Sequence, residues 1–219
     1  MIEIRGVTKQ YQTQGEVIPV LRNINLSVQE GEMVAIMGRS GSGKSTLLNM
    51  IAGIIVPTSG QVSVGGKIID YTKPSELYRL RRNQIGYIVQ NYGLIENRTV
   101  WENIVLAVHG KEYRACGYRK VKELLDELEL ADKVRRFPDQ LSSGEKQRVA
   151  IARALADNKS IILADEPTGA MDQISAENTV ALLRQLVERK GITVLIVTHD
   201  MEVAKKCDRI VHINYGEIV

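Results

Sequence analysis

Five apolar residues, Met33-Val34-Ala35-Ile36-Met37, run without a break into Gly38-Arg39-Ser40-Gly41-Ser42-Gly43-Lys44-Ser45-Thr46. A buried strand, a glycine-rich loop and a helix start in that order restrict the chain to an α/β fold whose strand opens directly onto a helix N-terminus. The glycines let the backbone curl so that several N–H groups point at one anion. Lys44 and the positive end of the following helix add charge at the same spot. Leu47, Leu48, Met50 and Ile51 give that helix an apolar side. The expected ligand is a nucleoside triphosphate, bound by residues 38 to 46.

The bulk properties narrow the field. A chain of 219 residues can bury a substantial core, as one domain or as a core with an inserted subdomain. Charged residues make up 25% and hydrophobic residues 44%, the balance of an ordinary soluble globular protein. The net charge of +3 is mild and its basic residues are interspersed with acidic ones, so nucleic acid is not an expected partner. Cys116 and Cys207 lie far apart with no His or Cys at ligand spacing, which fits free thiols in a reducing compartment. Met1 to Arg5 opens on strand-like alternation rather than a signal peptide, and no apolar run approaches a membrane span. The chain is therefore expected in the cytoplasm, and any action at a membrane requires another subunit to supply the spans.

Along the chain, strands are expected at Met1 to Ile4, Val20 to Val28 and Met33 to Met37, with Pro57 to Gly60 turning into a short strand from Gln61 that ends at Gly65-Gly66. This reads as an antiparallel flank beside a parallel core. From about Ser75 to Ala156 the pattern turns helical, with Val121, Leu124, Leu125 and Leu128 on one face. Two continuously apolar strands follow, Ile161 to Ala164 and Thr193 to Val197, around a helix whose core positions are Ala176, Val180, Leu183 and Val187. Such strands belong in a parallel sheet covered on both faces. The expected division is a core of residues 1–85 and 158–219 and a helical subdomain of about 86–157. Arg79, Arg81, Arg82 and the stretch Lys111 to Lys122 read as solvated faces, and His109 and His212 as structural residues.

Chemistry enters with Asp165 and Glu166, which close an apolar strand before Pro167 turns the chain away. A phosphate-binding loop needs a carboxylate on a neighbouring strand to hold Mg²⁺, and Asp165 is placed for it. Glu166, one residue on, is placed to polarise a water attacking the γ-phosphate. A third piece, Leu141-Ser142-Ser143-Gly144-Glu145, reads as a helix start with a capping box between Ser142 and Glu145, and equally as an anion site.

Together these motifs resemble the nucleotide-binding subunit of ABC transporters from one end of the chain to the other. The resemblance implies an α/β P-loop NTPase core of RecA-like type, with an antiparallel β flank and an inserted α-helical subdomain. It implies ATP and Mg²⁺ as cofactors. Gly38 to Ser45 becomes the Walker A loop, with Lys44 on the β- and γ-phosphates and Ser45 on the metal. Asp165 becomes the Walker B carboxylate, Glu166 the catalytic base and Leu141 to Glu145 the signature that reaches ATP held by a second copy. Gln90, after Ile85 to Val89, resembles the Q-loop glutamine that senses the metal and the attacking water. His199 resembles the switch histidine, Ala170-Met171-Asp172 the D-loop, and Tyr11 the aromatic that stacks on adenine. Two departures stand in the signature: Ser143 replaces a glycine and Glu145 the commoner glutamine. Serine there would be costly if the residue had to adopt a positive φ.

The interval between Lys44 and Ser142 is too short for the long coiled coils of genome-maintenance members, and a single Walker A argues against the ribosome-acting ones. The chain stops soon after Ile210 to Ile213, so the C-terminal regulatory domain of many sugar importers is not expected. The closest likeness is to the MacB/LolD/FtsE group, through segments such as Pro138-Asp139-Gln140-Leu141 and Ile162 to Ala170. That implies an ATP-hydrolysing homodimer docked on an integral membrane permease that exports peptides, drugs or lipoproteins. The segment Tyr92 to Asn103 would receive the permease. A non-transport ATPase, transmitting force in cell division or acting on DNA, is the alternative.

Overall fold

The computed structural model describes residues 1–13, 15–108, 117–157 and 159–219, and only the backbone of Gly117 and Tyr118. The readings of His109, of Cys116 and of the start of the stretch Lys111 to Lys122 lie outside the described residues. Four strands, β1 (Ile2–Thr13), β2 (Glu16–Val28), β4 (Ser59–Val64) and β5 (Lys67–Ile68), form an antiparallel sheet in the order β2-β1-β4-β5. The second sheet holds β3 (Met33–Met37), β6 (Ile85–Ile88), β7 (Ile161–Asp165), β8 (Thr193–Val197), β9 (Arg209–Asn214) and β10 (Glu217–Ile218). Its order is β10-β9-β3-β8-β7-β6, parallel throughout except for the terminal β10.

The three central strands are apolar at almost every position because both faces are covered. On one face Ile162, Ala164, Val194 and Ile196 join a core built with helices α3 (Val100–Val105), α4 (Gly117–Glu127), α5 (Ser143–Leu155) and α6 (Gln173–Lys190). On the other, Val34, Ile36, Leu163 and Leu195 meet helix α1 (Lys44–Ile51) and the inner face of the antiparallel sheet. Helix α1 is thus clamped between two sheets, which fixes the loop preceding it. Helix α2 (Pro74–Asn83) buries none of its residues, and the short α7 (Met201–Ala204) packs against β3. Among the described residues no helix is long and apolar enough to cross a membrane.

Two expectations about extent need correction. The first strand does not end at Ile4 but runs to Thr13. Its register against β2 shifts between Ile4 and Val7, again before Lys9 and again before Gln10, so pairing continues after the period-two alternation is lost. The expected helical stretch from Ser75 contains strand β6, paired with β7 from Ile85 through Ile88. A boundary at 85/86 cuts that strand, so the helical segment begins after Ile88.

Candidate active site

The loop between β3 and α1 curls beneath a cavity of about 640 Å³ lined by Gly38, Arg39, Ser40, Gly41, Gly43, Lys44, Ser45 and Thr46 on one side. Gln90, Asp165, Glu166 and His199 line it from the ends of β6, β7 and β8. Parallel strands deliver all these residues to their C-terminal edge, where such sheets place ligands. At Gly38 a Cβ would lie 2.1 Å from the Ile213 carbonyl oxygen, so no side chain fits where β9 passes the loop.

Lys44 is 8% exposed, and its Nζ donates to the carbonyls of Gly38 and Arg39, each at 2.8 Å. Among the described residues no carboxylate pairs with it. A buried ammonium held only by carbonyls lacks its counter-charge, which an anion bound in the cavity would supply. The Ser42 hydroxyl, also buried, has no hydrogen-bond partner.

Ser45 Oγ donates to Asp165 Oδ1 at 3.0 Å. A hydroxyl and a carboxylate make a sparse donor set of hard oxygens, suited to Mg²⁺, which keeps most of its shell as water and phosphate. Glu166 follows in the left-handed region, with φ +48. Its N–H donates to the Val197 carbonyl at 2.9 Å and its carbonyl accepts from Gly169 N at 3.1 Å. This turn lifts the side chain off the strand. Glu166 Oε1 then meets His199 Nδ1 at 2.9 Å, while Oε2 is buried without a partner. Glu166 also lines the polar cavity, where a carboxylate is equipped to accept a proton from water.

A model of the ABC transporter family matches residues 21–169. The chain belongs to the ABC transporter family. It is an ABC ATPase domain of the MacB/LolD/FtsE type. The ABC transporter ATP-binding protein MJ0796 of Methanocaldococcus jannaschii is 45% identical, the match covering 100% of this chain and 95% of that protein. The macrolide export ATP-binding/permease protein MacB of Salmonella typhimurium is 44% identical, and the chain spans only 34% of its length. Among solved structures, MJ0796 bound to ADP and Pi, described as a dimeric post-hydrolysis state, superposes with a TM-score of 0.88. That match is 42% identical and covers 100% of this chain and 96% of the other.

Within this ABC ATPase domain Ser142, Ser143, Gly144 and Glu145 stand away from the cavity at the sheet edge. Ser142 caps α5, accepting from Glu145 N at 3.3 Å, while Ser142 N donates to Glu145 Oε2 at 2.8 Å. The backbone N–H of Ser142 first, then its hydroxyl and nearby Lys133, hold the Glu145 carboxyl below its ordinary range. Ser143 opens the helix and is not among the residues with positive φ, so the serine carries no backbone cost there. Ser142 and Gly144 line a separate cleft with Ser175 and Asn178 of α6. Asp172 caps α6, accepting from Ser175 N at 2.9 Å. Tyr11 lies on β1, 39% exposed under the Lys9 ammonium, and does not line the cavity. Val20 of β2 does line it, a residue the motifs could not reveal because an apolar strand position has no signature of its own.

Proposed function

We propose that two copies of this chain close head to tail around two ATP–Mg²⁺, each site joining the loop 38–46 of one copy to Ser142, Ser143, Gly144 and Glu145 of the other. The observation that supports this is the separation within one chain. The cavity with Lys44, Asp165 and Glu166 lacks the signature, whose capped helix start faces elsewhere. The dimeric MJ0796 structures are in keeping with it. Residues 1–88 with 158–219 act as the catalytic core, and the helical segment after Ile88 carries the signature.

When bound, Mg²⁺ screens the phosphate charge and polarises the γ-phosphoryl group. Ser45 and Asp165 would hold it, with Gln90 lining the same cavity from beyond the end of β6. Lys44, the N–H groups of residues 38 to 46 and the start of α1 bind the phosphates. Glu166 takes the proton of the attacking water, and His199 fixes its carboxylate through Oε1. Tyr11, on β1 outside the cavity lining, stacks on the adenine ring of a bound nucleotide, and Asp172 faces the second copy. The chain sits on the cytoplasmic face of the membrane, bound to a permease along Tyr92 to Asn103. Opening and closing drive export of a peptide, drug or lipoprotein, in line with the MacB relatives.

Phosphate release tests the chemistry. Glu166→Gln is expected to lower kcat by about 10² to 10⁴, or about 3 to 5 kcal/mol of transition-state stabilisation, with ATP binding retained. Hydrolysis at the wild-type rate would remove Glu166 from this role.

A further inference from the structure

The segment just beyond Gln90 is held from three directions. Tyr92 N donates to the Val89 carbonyl at 3.0 Å, closing a tight turn on the end of β6. Tyr92 and Gly93 both have positive φ, +57 and +59, a conformation that a tyrosine adopts only under constraint. The Tyr92 hydroxyl reaches the Ala170 carbonyl at 3.4 Å, two residues before Asp172. The third hold comes from α5. Arg153 donates through Nη2 to the Tyr92 carbonyl at 2.8 Å and through Nη1 to the Gly93 carbonyl.

Arg153 is half-buried, and among the described residues no carboxylate pairs with it. Its charge is spent on two successive backbone carbonyls. A guanidinium is a rigid planar fork, so two bonds from one fork fix the position and the angle of what they hold. Arg153 lies on the helix whose first residues are Ser143 and Gly144, and its carbonyl partners lie two and three residues past Gln90. Close packing stiffens the same joint: at Gly86 of β6 a Cβ would fall 2.3 Å from the Ala154 carbonyl oxygen.

We propose that Arg153 is a positioning residue that makes the signature helix and the turn after Gln90 move as one body. Within one chain it then links the half-site that holds its own nucleotide to the half-site offered to the second copy. This rests on the nucleotide reading above. Filling one cavity shifts Gln90, and the shift reaches Ser142 to Glu145 through the guanidinium.

Amide hydrogen exchange tests the link without recourse to ATPase activity. The protein is diluted until light scattering reports a single-chain mass, and ATP with Mg²⁺ is added. In the wild type, exchange should slow in the loop 38–46, in residues 91–95 and in residues 144–150. In Arg153→Met the slowing should persist at 38–46 and be lost at 144–150. Arg153→Lys, which offers one ammonium where the fork makes two bonds, should retain part of it and serves alone if the methionine variant does not fold. Wild-type slowing at 144–150 in either variant, or slowing at 38–46 without 144–150 in the wild type, overturns the proposal. No slowing at 38–46 in the wild type would instead count against the nucleotide reading itself.

Discussion

Glu166 carries two demands that conflict. Its φ of +48 puts a side-chain-bearing residue in the left-handed region, at a cost of about 1 kcal/mol relative to glycine. The same turn aims its carboxylate at His199 and leaves Oε2 buried and unpaired. On the proposed reading, catalysis holds this residue where stability disfavours it. Glu166→Gly is therefore expected to abolish hydrolysis while raising Tm by about 2 to 4 °C, as read by thermal unfolding. A fall in Tm would show that the turn is not strained by its side chain. At this scale much was legible beforehand. Asp165, Glu166, Gln90 and His199 are polar residues at or just past the ends of apolar strands, Lys44 and Ser45 open the helix after the glycine-rich loop, and the structure brings all six to one cavity. Arg153 was not legible, because an arginine on an amphipathic helix reads as solvent-facing until the turn at Tyr92 and Gly93 is seen beside it.

Helix α5 is the element on which the account turns. Its N-terminus is closed by Ser142 and Glu145, as their spacing indicates, and its far end is pressed onto β6 at Gly86. The Glu145 carboxyl is held below its ordinary range, so its folded pKa is lower than its unfolded one. Its contribution to stability is full above the unfolded value and is lost as pH falls through the folded one. Wild type and Glu145→Gln should therefore differ in denaturant midpoint at pH 7, with the wild type more stable, and converge as the pH falls through and below the ordinary carboxylate range. A gap that persists undiminished in acid would show that the carboxylate is not the source. Gly86→Ala is expected to cost about 1 to 3 kcal/mol, since the added methyl meets backbone rather than a side chain that can move aside. Urea unfolding reads this, and an unchanged midpoint would contradict the close packing. Continuous apolar runs placed β3, β7 and β8 because both faces of those strands are buried. Period-two alternation stopped short on β1, where bulges break it while pairing persists.

For the whole molecule, the observation behind the proposed sandwich is that the cavity lined by Lys44, Asp165 and Glu166 and the helix start at Ser142 stand apart within one chain. That cavity lies at the C-terminal edge of the parallel sheet, and Ser142 caps a helix elsewhere. The motifs point to both places, but their relative placement depends on how α5 docks against β6, which no local pattern encodes. The fold matches that of MJ0796 over the whole chain, with a TM-score of 0.88. The direct measurement is the solution mass of Glu166→Gln by light scattering, with and without ATP–Mg²⁺. The account predicts the 24.4 kDa single-chain mass without nucleotide and twice that mass with it, the shift disappearing in Glu166→Gln with Gly144→Arg. A single-chain mass at high protein concentration with saturating ATP–Mg²⁺ would contradict it.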